Sequence, residues 1–322
     1  MAVAWRAHET VLGSCLLVAS ALMSAEPLPA ARVEASRMSM GCLYAIEAYG
    51  SDAAALGRTL EAALDEVDRL DRLMSHYKAD SPLSDLNRRA ANGEVRVDPE
   101  LFDLIETSLR FTAASDGAFD ITVGPLMKAW GFFRGEGRVP TPPELARVRE
   151  MVGSQHVVMN RRRLTIRFDR RGVELDLGGI AKGYAVDRVV TLLRSRGVTA
   201  ALVSAGGSSI YGLGAPPDRT AWTVEIQDPG DQRAMASAVP LKNRALSVAG
   251  RSEKAFEIGR ARYDHILDPR TGHPVPEMLS VVVVSDTATI GDALDTTLVV
   301  LGVERGRKLL KKYPGVEAHF LK

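Results

Sequence analysis

The chain has 322 residues, with 41 Lys and Arg against 40 Asp and Glu and a formal net charge of +1. That balance leaves no electrostatic footprint for nucleic acid or for an anionic membrane surface. The length and an apolar share of 46% support a substantial core in one or two domains, and no repeat, heptad array or low-complexity block is present.

Residues 1–25 read as a secretory signal peptide. Arg6 opens it, residues 11–23 are an apolar run, and Ser24-Ala25 precede Glu26-Pro-Leu-Pro29. The run is too short for a comfortable membrane span. The expectation is an exported protein of the periplasm or cell envelope, with residues 26–322 as its one mature domain. Leu12-Gly-Ser-Cys15 faintly resembles a lipoprotein cleavage box. The apolar run lies mostly after Cys15, so a cleaved soluble protein is preferred to one anchored at the inner membrane. Loss of Cys15 leaves Cys42 alone, which excludes an internal disulfide and a cysteine-based zinc site. Cys42 itself reads as a small apolar residue on a strand.

In chain order, residues 43–48 are an early strand. A helix follows over 52–74, its stripe set by Leu56, Leu60, Leu64, Val67 and Leu70. A short helix spans 84–88 after Ser81-Pro82, and Asp98-Pro99 caps another to about 114. Residues 115–125 are a loop and then a short extended piece; 131–143, rich in Gly and Pro, are an exposed connection. Strands are expected at 156–159, 164–168 and 173–177, a helix at 180–196 and a strand at 200–203. Further strands fall at 222–227, 245–248, 263–267 and 279–285. A helix over 289–301, then a final helix and strand, close the chain. Helices and strands without strict alternation indicate an α+β fold with largely antiparallel sheet.

Two distant segments carry the chemistry. Glu174-Leu-Asp-Leu-Gly-Gly-Ile-Ala-Lys-Gly-Tyr184 is an apolar stretch with acids, then a glycine turn opening a helix. Such a turn lets a phosphate approach the backbone, and Lys182 can neutralise it, although a Gly-Gly pair before a helix is commonly only a turn. In Gly291-Asp-Ala-Leu-Asp-Thr296, offsets of three and four put Asp292, Asp295 and Thr296 on one helical face. Their oxygens suit Mg²⁺, whereas taken alone Asp292 reads as an N-cap worth about 1 kcal/mol. Together the segments suggest a metal–pyrophosphate site and phosphoryl transfer on a nucleotide. His265 stands at a strand end before the turn Asp268-Pro-Arg-Thr-Gly272, open to a structural or an acid–base role. Tyr77 could stack on a planar ligand or cover the end of the preceding helix. Walker A, Gly-x-Ser-x-Gly and Gly-x-Gly-x-x-Gly motifs are missing.

The ordered set is fuller than its parts. It runs Met38-Ser-Met-Gly41, Met74-Ser-His-Tyr77, Gly117-Ala-Phe-Asp-Ile-Thr-Val-Gly-Pro-Leu126, Ala129-Trp-Gly-Phe132, Asp176-Leu-Gly-Gly-Ile-Ala-Lys-Gly-Tyr-Ala185, Ala205-Gly-Gly207, His265-Ile-Leu-Asp-Pro-Arg-Thr-Gly272 and Asp292-Ala-Leu-Asp-Thr296. This resembles the FAD:protein FMN transferase family, also called ApbE, over essentially the whole mature chain.

The resemblance implies an ApbE-like α+β fold and a Mg²⁺-dependent enzyme that uses FAD as FMN donor. The enzyme releases AMP and joins FMN by a phosphoester to a Thr or Ser of an acceptor redox protein, itself membrane-associated. Carried over by position, Met40, Tyr77, Ala118, Phe119, Asp120, Asp176, Lys182 and Ile266 line the FAD site. Asp292, Asp295, Thr296 and the Gly179 carbonyl hold Mg²⁺, and His265 assists transfer with Asp292 at the catalytic centre. An FAD pyrophosphatase and a flavin binder without turnover are the competing readings. Ser208-Ser209 and the segment Ser247-Val-Ala-Gly-Arg-Ser-Glu253 depart from the family pattern and bear on flavin or acceptor contact.

Overall fold

An edge hairpin opens the structure, a computed structural model that describes residues 30–133, 135–227, 235–250, 255–259, 261–276 and 280–321. The expected signal peptide with Cys15, and residues 251–253 of the departing segment, lie outside the described residues. Strand β1 (Ala31–Ser39) alternates half-buried with exposed side chains and pairs antiparallel with β2 (Cys42–Gly50). Sequence reading finds β2 and misses β1, whose exposed positions are mostly charged or polar and whose inward ones are mostly small.

The main sheet has seven strands in the order β1-β2-β6-β7-β10-β15-β16, antiparallel throughout. Its later members are β6 (Ala200–Ala205), β7 (Ser209–Leu213), β10 (Arg244–Ala249), β15 (Ser280–Ser285) and β16 (Glu317–Leu321). The run Val281-Val-Val-Val284 is buried along its whole length because both faces of the sheet are covered. Val281 and Val283 join the large core under the helices. Val282 and Val284 join a second core under the hairpin β8 (Trp222–Gln227) and β9 (Met235–Leu241).

The helix face is built by α1 (Ala53–Met74), α6 (Ala181–Ser195) and α7 (Ala288–Leu310). The stripe Leu56, Leu60, Leu64, Val67 and Leu70 is buried as expected, and the Asp52 carboxylate caps α1 at the Ala55 amide. Helices α2 (Pro82–Arg89) and α3 (Pro99–Ala114) start behind the Ser81 and Asp98 side chains, each with proline in the first turn. Two short helices, α4 (Gly124–Ala129) and α5 (Pro142–Arg149), replace the ends of segments expected to be extended or open. A small sheet of β3 (Val95–Arg96), β5 (Thr165–Phe168) and β4 (Val157–Asn160) lies beyond them.

Three expected elements change. Residues 173–177 are not a strand: they make a single parallel bridge from Glu174 to Val123. Asn87 takes both backbone groups of Leu175, accepting from its N–H at 2.8 Å and donating to its carbonyl at 2.9 Å, in place of a ladder neighbour. The strand expected at 263–267 is broken into β12 (Ala261–Asp264), which pairs with β11 (Ala255–Ile258), and β13 (Leu267–Asp268), which pairs with β14 (His273–Pro274). Last, the two helices expected after 289 are halves of α7, separated at Gly302 by a φ of +68°. The α+β class with largely antiparallel sheet stands.

Candidate active site

The site begins where α6 and α7 nearly touch. The Gly183 amide donates to Asp292 Oδ2 at 2.9 Å. A Cβ on Gly183 would lie 2.2 Å from the Ala288 carbonyl oxygen and 2.8 Å from Asp292 Cβ, so only glycine permits the approach. Asp187 of α6 accepts from the Ala288 and Thr289 amides at 2.8 and 2.9 Å, and the Thr287 hydroxyl accepts from Ile290. These groups satisfy the start of α7. Asp292, one turn further on, is therefore not the N-cap that it resembles in isolation.

The offsets of three and four do gather Asp292, Asp295 and Thr296. Asp292 and Asp295 are 3% and 2% exposed. Ser209 donates to Asp292 Oδ1 at 3.3 Å, and Thr296 donates to Asp295 Oδ1 from its amide and, at 3.0 Å, from its hydroxyl. Burial, and then the Asp292 charge, hold the Asp295 carboxyl well above the usual carboxylate range, with Lys182 opposing. A Cβ built on Gly179 would stand 3.9 Å from the Thr296 hydroxyl and 3.3 Å from the Phe119 ring. Among the described residues no group of three or more His, Cys, Asp or Glu could hold a metal, so a cation here must also use hydroxyl and backbone oxygen. Two neighbouring buried carboxylates, the charge on Asp295 disfavoured by burial and then by Asp292, are the donors that a hard divalent cation stabilises, and Mg²⁺ fits them.

Around this face lie the turns. Met40, at φ +49°, tops the β1–β2 turn, and its sulfur accepts from the buried Tyr44 hydroxyl at 3.3 Å. The neighbouring Gly206 amide donates to the Leu43 carbonyl at 2.8 Å. Gly206 has φ +58°, and a Cβ there would lie 2.8 Å from Cys42 Cβ. Cys42 is the half-buried first residue of β2, as expected. Ser208, next in this turn, accepts from the Lys182 ammonium at 2.6 Å.

Ala118 and Phe119 are buried, with the Phe119 ring 6.0 Å from Phe111. The Asp120 carboxylate is committed to its loop, accepting from the Thr122 amide and hydroxyl and from the Ser154 amide. Asp176 accepts from the Gly178 amide at 2.8 Å and lies 3.6 Å from His76 Nδ1. Sequence reading misses the network that follows: the buried His76 has Nε2 3.0 Å from the half-buried Glu174, which also pairs with the exposed Lys128. Burial pulls the His76 imidazole down, yet Asp176 and Glu174 outweigh it and raise it above its ordinary value. The available signal was an acid inside the apolar stretch at 173–177. Tyr77 is 54% exposed and stacks on Phe133 with centroids 4.9 Å apart at 15°, forming an open aromatic wall beyond α1.

His265 stands between β12 and β13, with Nδ1 2.7 Å from Asp264 Oδ1. Ile266 is buried, and its carbonyl accepts from the Val275 amide. The following turn is tied to α4 through Trp130 Nε1, which donates to the Gly272 carbonyl at 2.8 Å. Arg270 of that turn reaches Gly117, where a Cβ would lie 3.7 Å from Arg270 Cγ, so the His265 loop borders the 118–120 segment.

The ApbE family model matches residues 40–320. An FAD:protein FMN transferase of Klebsiella pneumoniae (strain 342) is 32% identical over 314 residues, covering 95% of this chain and 89% of its own length. One from Treponema pallidum (strain Nichols) is 34% identical over 309 residues, covering 88% and 82%. Among solved structures, the apo flavinyl transferase ApbE of Pseudomonas stutzeri is similar at a TM-score of 0.81 and 30% identity, with 92% of each chain covered. The ApbE protein of Thermotoga maritima is similar at a TM-score of 0.83 and 30% identity, covering 90% of this chain and 94% of its own.

Proposed function

The chain belongs to the ApbE family, and from that premise we propose that it is an FAD:protein FMN transferase. The observation that carries this reading is one face of α7, with Asp292 and Asp295 buried and Thr296 half-buried, packed beside Gly179 and near Lys182. Asp292, Asp295, the Thr296 hydroxyl and the Gly179 carbonyl would hold Mg²⁺, which would supply positive charge to offset that of the pyrophosphate.

Phosphoryl transfer asks a protein for positioning and charge more than for a covalent intermediate. Lys182 adds a positive charge beside the glycine turn. Met40 and the Tyr77 wall bind the flavin ring, with the buried segment 118–120, Asp176 and Ile266 shaping the rest of the FAD site. A Thr or Ser hydroxyl of the acceptor attacks the phosphorus on the FMN side. Its proton passes to His265, the P–O bond to AMP breaks, and a phosphoester joins FMN to protein. The acceptor is a redox protein associated with the membrane. The signal-like segment at 1–25 supports transfer outside the cytoplasm, in the periplasm or cell envelope.

The test is intact-mass spectrometry of an acceptor domain incubated with the protein, FAD and Mg²⁺. A gain of one FMN, lost without Mg²⁺, is expected. Asp292→Ala should lower turnover by about a hundredfold or more while retaining FAD binding; unchanged transfer overturns the metal assignment. Free FMN and AMP with unmodified acceptor would make the protein a pyrophosphatase.

A further inference from the structure

We propose that Asp264 is a positioning residue for His265, fixing which ring nitrogen takes the acceptor proton; this rests on the transferase reading above. The geometry is local and specific. Asp264 Oδ1 accepts twice from the next residue, from the His265 amide at 2.8 Å and from ring Nδ1 at 2.7 Å. The residue is 4% exposed. Its second oxygen, Oδ2, is buried without a hydrogen-bond partner among the described residues, and the Arg262 guanidinium stands 3.8 Å away.

A turn at this point needs only the bond to the His265 amide. A buried carboxylate with one oxygen left unsatisfied is a costly way to make it, since an unpaired buried acceptor loses about 1–3 kcal/mol. What the carboxylate adds is the contact to the ring. An ionised carboxylate only accepts, so Nδ1 must carry the proton and Nε2 the lone pair. The break between β12 and β13 holds this arrangement: buried Asp264 precedes the histidine and buried Ile266 follows it, while the ring itself remains about a third exposed. When Nε2 receives the hydroxyl proton, the imidazolium forms against the Asp264 charge. The attacking oxygen bonds to phosphorus as AMP leaves, and the proton is later returned to solvent.

Two variants of the full chain separate the contributions. Asp264→Asn keeps an oxygen acceptor and removes the charge; Asp264→Ala removes both. Expected losses in kcat are about tenfold for the first and about a hundredfold for the second, with KM for FAD within about twofold, since neither touches the flavin. An alanine variant that melts like the wild type and keeps its kcat overturns the proposal. The independent measurement is the ¹⁵N spectrum of His265 in the wild-type protein without substrate. A neutral ring protonated at Nδ1 is expected, and one protonated at Nε2 overturns the proposal even if the alanine variant fails to fold. Wild-type protein that transfers no FMN sinks the transferase reading instead, and the tautomer measurement tells the two failures apart.

Discussion

His76 illustrates how much of a site depends on partners that sequence spacing cannot pair. It lies two residues after α1, and its carboxylates come from a segment 98 residues away. Because Asp176 and Glu174 raise the imidazole above its ordinary value, the folded state binds a proton that the unfolded chain releases earlier. The stabilisation is therefore fully present below the ordinary histidine value and is lost as pH rises through the raised one. His76→Gln should be less stable than wild type near pH 5, and the gap should narrow as pH rises through the raised imidazole value. Melting temperatures of both proteins across that range check it, and a gap independent of pH would contradict the charged network. Asp292, Asp295 and Thr296 were legible because helical offsets bring them together within one element. Asp264, Lys128 and Glu174 were not, since their significance lies in which side chain they face.

At the scale of elements, the contact between α6 and α7 is decisive. Gly183→Ala would press a methyl into the Ala288 carbonyl and Asp292. The helices must separate, at an expected cost of about 1–3 kcal/mol, and Asp292 would lose its bond from the Gly183 amide. Urea unfolding should record the cost, and the rise in melting temperature on adding Mg²⁺ should shrink. Equal stability and an equal Mg²⁺ response would show that α7 is placed by other contacts. Elements with a long period and an explicit cap, such as α1 and α3, could be read nearly to the residue. Residues 173–177 could not, because an apolar extended run looks the same whether a strand or one asparagine satisfies its backbone. Gly124–Ala129 escaped for a related reason: six residues are too few to show a helical period.

The whole molecule divides by the faces of its sheet. Helices α1, α6 and α7 share one core with Phe119 and Ile266, Trp222, Leu241 and their neighbours fill the opposite one, and Leu126, Trp130, Leu145 and Leu267 make a smaller third cluster. Trp222 is buried, and its indole donates to the Leu213 carbonyl at 3.0 Å. Trp222→Ala should lower stability by about 3–5 kcal/mol while FAD affinity of the folded fraction stays within about twofold. Calorimetric melting and FAD titration below the transition separate the effects, and a large loss of affinity would mean that the faces communicate. The order of strands has a further consequence, in time. The β1–β2 hairpin finds its next neighbour only in β6, and β10 is flanked by β7 and β15. Pairings so distant along the chain close slowly because loop entropy is lost before contacts return it. Cys42 and Leu43 meet Gly206's turn, and Asp292 meets Gly183 and Ser209, only after such closures. A partly folded chain thus holds fragments of the acidic α7 face and of the aromatic wall without their partners, and the assembled candidate site is among the last features the chain acquires.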